Sequence, residues 1–210
     1  MLDLKPFLPL FFSAAGVLIL FITFKLKLER DTKKNQKISD RYFTKEANAL
    51  FARKKEIPES IFISVDFHNL PTVDDAECTL LYKRISITYH YKMTNLKDHT
   101  NLELKEAYGM AHFQDLTIYE KNYLTFMDIL LKYGSILYEK GFIKEARTVL
   151  EAALDYQCDV SKCYMILSDI YLKLHARDAL ENLACIAKQN MQGSPYLNKV
   201  LNMLERTKQA

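Results

Sequence analysis

Phe7 to Phe24 reads FLPLFFSAAGVLILFITF, eighteen consecutive residues without a charge. That is long enough for a transmembrane helix, at the short end of the range. Twelve of its positions are Leu, Ile, Phe or Val, and together they contribute roughly −4 to −7 kcal/mol towards insertion. Pro9 falls in the first turn, where a proline costs a helix little. Leu26 and Leu28 can extend the run while Lys25 and Lys27 reach for the interface. A cleaved signal peptide would have a shorter apolar region, a more basic N-flank and a small-x-small cleavage site. Here the N-flank offers Lys5 beside Asp3, and the segment runs straight into KLKLERDTKK. A helix buried in a globular core would still need a polar face for water, which this run lacks. The segment therefore reads as an uncleaved anchor over residues 7–24, with residues 1–6 on the extracytoplasmic side.

Charge sets the expected orientation. Residues 25–56 hold eleven Lys/Arg against five Asp/Glu, a net of +6, whereas residues 57–210 hold seventeen against twenty, a net of −3. The basic residues next to the span are Lys25, Lys27, Arg30, Lys33, Lys34, Lys37 and Arg41, set against Lys5 on the other side. The positive-inside rule then predicts a cytoplasmic C-terminal domain. The first six of these cations could also sit on anionic head groups, although Glu29 and Asp31 interrupt the run and a topology signal alone accounts for it. A nucleic-acid binder would carry its basic patch on the folded body. This body is mildly acidic, so nucleic acid is not an expected partner.

Gly and Pro are scarce at five each, which favours helices. Residues 25–56 read as a basic juxtamembrane helix or stalk, with Ile38, Phe43, Ala47, Leu50 and Phe51 at roughly helical spacing. Residues 57–71 break the pattern. Pro58 and Pro71 bracket Ile61, Phe62, Ile63, Val65 and Phe67, an extended apolar connector expected to lie across the helical body. Thr72 with Asp75 fits a capping box opening a helix to about Lys92, and Thr100 with Glu103 fits another. Gly109 marks the expected end of that second helix. The region 72–126 is expected to be helical and to pack on the helices of the C-terminal half.

Aligning residues 127–160 with 161–194 shows a period of 34. In the first copy Leu130, Gly134, Leu137, Gly141, Ala146, Leu150 and Ala153 stand at the fourth, eighth, eleventh, fifteenth, twentieth, twenty-fourth and twenty-seventh positions. Small residues at Gly134 and Ala146 would let two antiparallel helices approach closely, and Gly141 would end the first at a tight turn. The second copy keeps Tyr164, Leu167, Ser168, Tyr171, Ala179 and Leu183, but its turn Leu174-His175-Ala176 lacks glycine and reads as about one residue short. Gly193-Ser194-Pro195 closes the copy and starts a last helix over 195–210. This pattern resembles the tetratricopeptide (TPR) repeat, and the layout of anchor plus short repeat domain is similar to that of bacterial single-pass membrane proteins. The resemblance implies an all-α fold: a transmembrane helix, then a short α-solenoid of antiparallel helix hairpins over 127–194 with a C-terminal capping helix, which such a stack needs to cover its open end.

It also implies a concave, partner-binding groove lined by first helices. Leu131, Ser135, Tyr138, Met165, Asp169 and Leu172 fall at those positions. A carboxylate clamp would need a basic residue and an Asn where Leu131 and Ser135 stand, so an apolar helix or extended peptide is the expected ligand class. These side chains could equally pack on upstream helices. No catalytic residues are expected: the chain has no Gly-rich phosphate loop, nucleophile elbow or Cys/His signature. His112 with Asp115 reads as a surface pair and His90 as a core-edge residue. Cys78, Cys158, Cys163 and Cys185 lack metal-ligand spacing, so no metal or cofactor is expected and reduced thiols are the plain reading. The function expected is a protein-protein interaction adaptor or scaffold on the membrane. The alternatives are a structural or assembly subunit of a membrane complex and an enzyme without a familiar motif.

Overall fold

A computed structural model describes residues 8–53 and 55–209, with side chains placed for 18–53 and 55–208. The expected extracytoplasmic segment 1–6 and the first residue of the expected span, Phe7, lie outside the described residues, as do the side chains of 8–17. Among the described residues no helix is long and apolar enough to cross a membrane. The described chain is all-helical. Its α-helices are α1 (Leu8–Ala49), α2 (Ala76–Thr88), α3 (Asn101–Glu139), α4 (Ile143–Asp155), α5 (Ser161–Lys173), α6 (Arg177–Asn190) and α7 (Leu197–Gln209). No strand occurs among the described residues beyond an isolated bridge between Phe62 and Thr94.

α1 runs without a break through the basic flank and touches the body at its C-terminal end, where Ala49 is buried and Glu46 pairs with Lys105 at 2.6 Å. The connector 57–71 lies across the helices but is not wholly extended, because short 3-10 turns form at Glu59–Ile61 and Phe67–Asn69. The Ile63 N–H donates to the Met93 carbonyl at 2.9 Å, the Thr94 hydroxyl donates to the Ile61 carbonyl at 2.8 Å, and Ile63, Val65 and Phe67 pack on the main core.

α2 starts later than the Thr72 signal suggests. Asp75 is the cap, its carboxylate accepting the Cys78 N–H at 2.9 Å, and Thr72 lies outside the helix. The helix also stops at Thr88, short of the expected Lys92. The Thr100–Glu103 capping box forms as read. Gly109 ends that helix at φ 79, but only for one residue: the chain re-enters the helix at once and continues to Glu139.

The hairpins α3–α4 and α5–α6 are in register with the period of 34. α3 and α5 end at Glu139 and Lys173, and α4 and α6 begin at Ile143 and Arg177. The turns repeat bond for bond. Phe142 N–H donates to Leu137 O and Gly141 N–H to Tyr138 O; Ala176 N–H donates to Tyr171 O and His175 N–H to Leu172 O. Both are Schellman closures. The second turn is therefore not short, contrary to the reading of its sequence: His175 takes the place of Gly141 and adopts φ 54 without being glycine.

One core runs through α2 to α7. Cys78, Leu81 and Ile85 of α2 join Phe126, Leu130, Tyr133 and Leu137 of α3, and the core continues through Leu150, Tyr164, Leu167, Leu180 and Leu204. Gly134 sits against α4 so closely that a Cβ there would stand 2.6 Å from Leu150 Cδ2. Three buried polar ends in this core find backbone partners. Tyr133 donates to Pro71 O at 2.7 Å, Tyr164 to Cys158 O at 2.7 Å, and Asn190 Nδ2 to Leu154 O at 2.9 Å. Burial raises the pKa of Tyr123, Tyr133, Tyr164 and Tyr171 and keeps these phenols neutral donors.

Candidate functional site

Because α4 and α6 pack behind them, α3, α5 and α7 present their opposite sides on one face of the stack. α5 touches both neighbours on this face: Tyr138 of α3 bonds Asp169, and Ser168 bonds Thr207 of α7 at 3.2 Å. Two clefts adjoin along α5, sharing Val160 and Lys162 at its N-terminus.

The first cleft, between α3 and α5, has a volume of about 520 Å³ and holds Leu131 and Ser135 with Asp128, Lys132, Glu139, Lys162 and Ile166. Leu131 is half-buried. Ser135 is buried, and its hydroxyl donates to Glu139 within the same helix at 3.2 Å. The walls mix charge and apolar surface.

The second cleft, between α5 and α7, measures about 600 Å³. Its walls are Val160, Met165, Pro195, Tyr196, Val200 and Met203, and its rim carries Lys162, Lys199 and Asp159. Met165 is 55% exposed and Tyr196 60%, so large apolar side chains stand open to solvent. No side chain caps the N-terminus of α5, where Val160 occupies the cap position.

The six groove residues read from the sequence do not form one groove. Leu131 and Ser135 share the first cleft and Met165 lines the second. Tyr138 and Asp169 belong to a polar clasp that ties α3 to α5. The Tyr138 hydroxyl donates to Asp169, and Lys173 reaches both the phenol oxygen and the carboxylate at 2.8 Å, with its ammonium 4.7 Å from the ring centre. Leu172 is exposed and lines neither cleft. Sequence reasoning misses Val160, Pro195, Tyr196, Val200 and Met203. The helix-start signal at Ser194-Pro195 puts this segment on a capping helix, and only the packing of α7 beside α5 turns it into a cleft wall. Lys25, Lys27, Arg30, Lys33, Lys34 and Lys37 are all exposed along α1.

Cys78, Cys158 and Cys163 are buried and Cys185 is exposed. The Cys163 thiol is pushed well up by its hydrogen bond to Cys158 and by burial, while the same bond lowers Cys158. Among the described residues no group of three or more His, Cys, Asp or Glu is placed to hold a metal ion. His112 Nδ1 lies 3.5 Å from the half-exposed Asp115. His90 is exposed beside Tyr89 rather than set at a core edge.

No family model, no curated protein and no solved structure matches the chain.

Proposed function

We propose that this chain is a membrane-anchored interaction adaptor whose TPR-like body holds a protein partner on the α3–α5–α7 face. The observation that carries this reading is the second cleft: an open, apolar concavity with Met165 and Tyr196 exposed, on a face left uncovered by the described helices. Soluble surfaces rarely leave such patches unused, and Met and aromatic side chains suit adaptable recognition. The repeat assignment draws support from the two Schellman turns that recur at the period of 34. The function is binding rather than catalysis, and it needs no cofactor. The anchor is the Phe7–Phe24 run, which exposes its large apolar side chains from Leu18 to Phe24, where side chains are described. The basic flank faces the cytoplasm and holds the body there.

A second reading, a structural subunit of a membrane complex, rests on a different surface. Leu80, Ile87 and Tyr91 are exposed in and just beyond α2, at the uncovered end of the stack. Site-specific photo-crosslinking separates the two in the full-length protein within membranes of its own cell. A crosslinker at Met165 should trap a protein adduct of defined mass, while one at Thr148 on the outer side of α4 should not. Adducts at Leu80 and Ile87 alone would favour the subunit. Adducts at neither surface would overturn both readings.

A further inference from the structure

We infer that the cleft between α5 and α7 takes a short protein segment in which a large apolar side chain stands next to acidic residues. This rests on reading the α3–α5–α7 face as the binding face, and it names the chemistry of the partner. The apolar half of the preference comes from the walls. Met165 of α5 and Met203 of α7 line the cleft from its two helices, and Tyr196 and Pro195 add to the wall ahead of α7, a set that accepts a Leu- or Phe-sized side chain without a fixed shape.

The acidic half comes from the rim. Lys162 and Lys199 both line it, and Asp159 is the single carboxylate among the lining residues. Neither lysine is in an ion pair among the described residues, whereas Lys140 and Lys173 are already paired with Asp75 and Asp169. The first turn of α5, on the same side, has no side-chain cap and no acidic residue. This local excess of positive charge sits on a body whose net charge over residues 57–210 is −3, so it is a property of the cleft and not of the surface at large. Charge complementarity of this kind selects partners and speeds encounter.

The test uses the full-length protein in nanodiscs and three fluorescein-labelled peptides: one of Leu and Glu, one with every Glu replaced by Gln, and one with every Leu replaced by Ala. Fluorescence anisotropy should show binding of the Leu/Glu peptide alone, weakening as salt is raised. Lys162→Glu combined with Lys199→Glu should weaken it by about tenfold or more. Met165→Ala should weaken it while leaving the helical circular-dichroism signal unchanged. Equal binding of the Gln peptide, or insensitivity to the lysine reversals, would overturn the acidic preference while leaving the binding face in place. Binding of none of the three peptides, with crosslinks still forming at Met165, would overturn this inference alone. Crosslinks absent at Met165 would sink the binding face itself.

Discussion

Position 175 shows how much backbone freedom one residue can decide. Gly141 and His175 occupy the same place in successive hairpins with φ of 87 and 54, but only the first is glycine. A side chain in this left-handed region costs roughly 1 kcal/mol. A Cβ at Gly141 would meet nothing within 4 Å, so any penalty there is conformational. His175→Gly should therefore raise stability by about 0.5–1 kcal/mol, and Gly141→Ala should lower it by a similar amount, both read from the midpoint of urea unfolding. Asp75 supplies a second residue-scale expectation. Lys140, and after it the Cys78 N–H, hold its carboxyl at about 2 against an ordinary 3.8. A depressed carboxylate contributes stability that is complete above its unfolded pKa and disappears as pH falls through the folded one. The contribution should thus be present above about pH 4 and fade towards about pH 2. Asp75→Asn, which can still cap α2, should flatten that part of a melting-temperature profile. An unchanged profile would show that the ion pair does not contribute.

At the scale of elements, close approach and clasping replace the single groove that the sequence suggests. Gly134 lets α3 lie against α4 with Leu150 in the gap. Gly134→Ala should destabilise the body by about 1–3 kcal/mol through overpacking. Leu150→Ala combined with it should cost less than the sum of the two single changes, because the truncated side chain makes room for the new methyl. A strictly additive result in denaturant melts would place the strain elsewhere. Tyr138 reads from the sequence as a groove residue, but its hydroxyl is committed to Asp169 and Lys173. Tyr138→Phe should accordingly lower stability by about 0.5–1.5 kcal/mol, and partner capture at Met165 should survive it.

At the scale of the whole molecule, the body hangs from one end of a long helix. α1 spans 42 residues and meets the body near Glu46 and Ala49, so the stalk contributes little of the core. A chain beginning at Ile38 should keep nearly the full melting temperature of the body and remain predominantly helical. Loss of helicity would mean that the stalk holds the stack together. The proposed orientation is checked in intact cells: protease added from outside should leave residues 38–210 uncut, and cleavage there would overturn that proposal.

Helical class, the Thr100–Glu103 cap and the spacing of the hairpins are legible in the sequence, because each depends on residues within about one turn or one repeat of each other. Gly134 and Ala146 read as contact residues for the same reason: small side chains at fixed repeat positions mark where two helices approach. The start of α2 is ambiguous in sequence because Thr72 and Asp75 are both competent caps, and the choice turns on where Lys140 and the core place the chain. His175 escapes a sequence reading because a left-handed residue that is not glycine leaves no compositional mark. The division of the expected groove into two clefts, and the recruitment of Pro195, Tyr196 and Met203 as walls, depend on α7 lying beside α5. That contact joins residues about a full repeat apart through burial of Val200 and Leu204. Local periodicity dictates which face of a helix is apolar, but which neighbour covers that face, and what stays open beside it, is decided only when the helices compete for the same core.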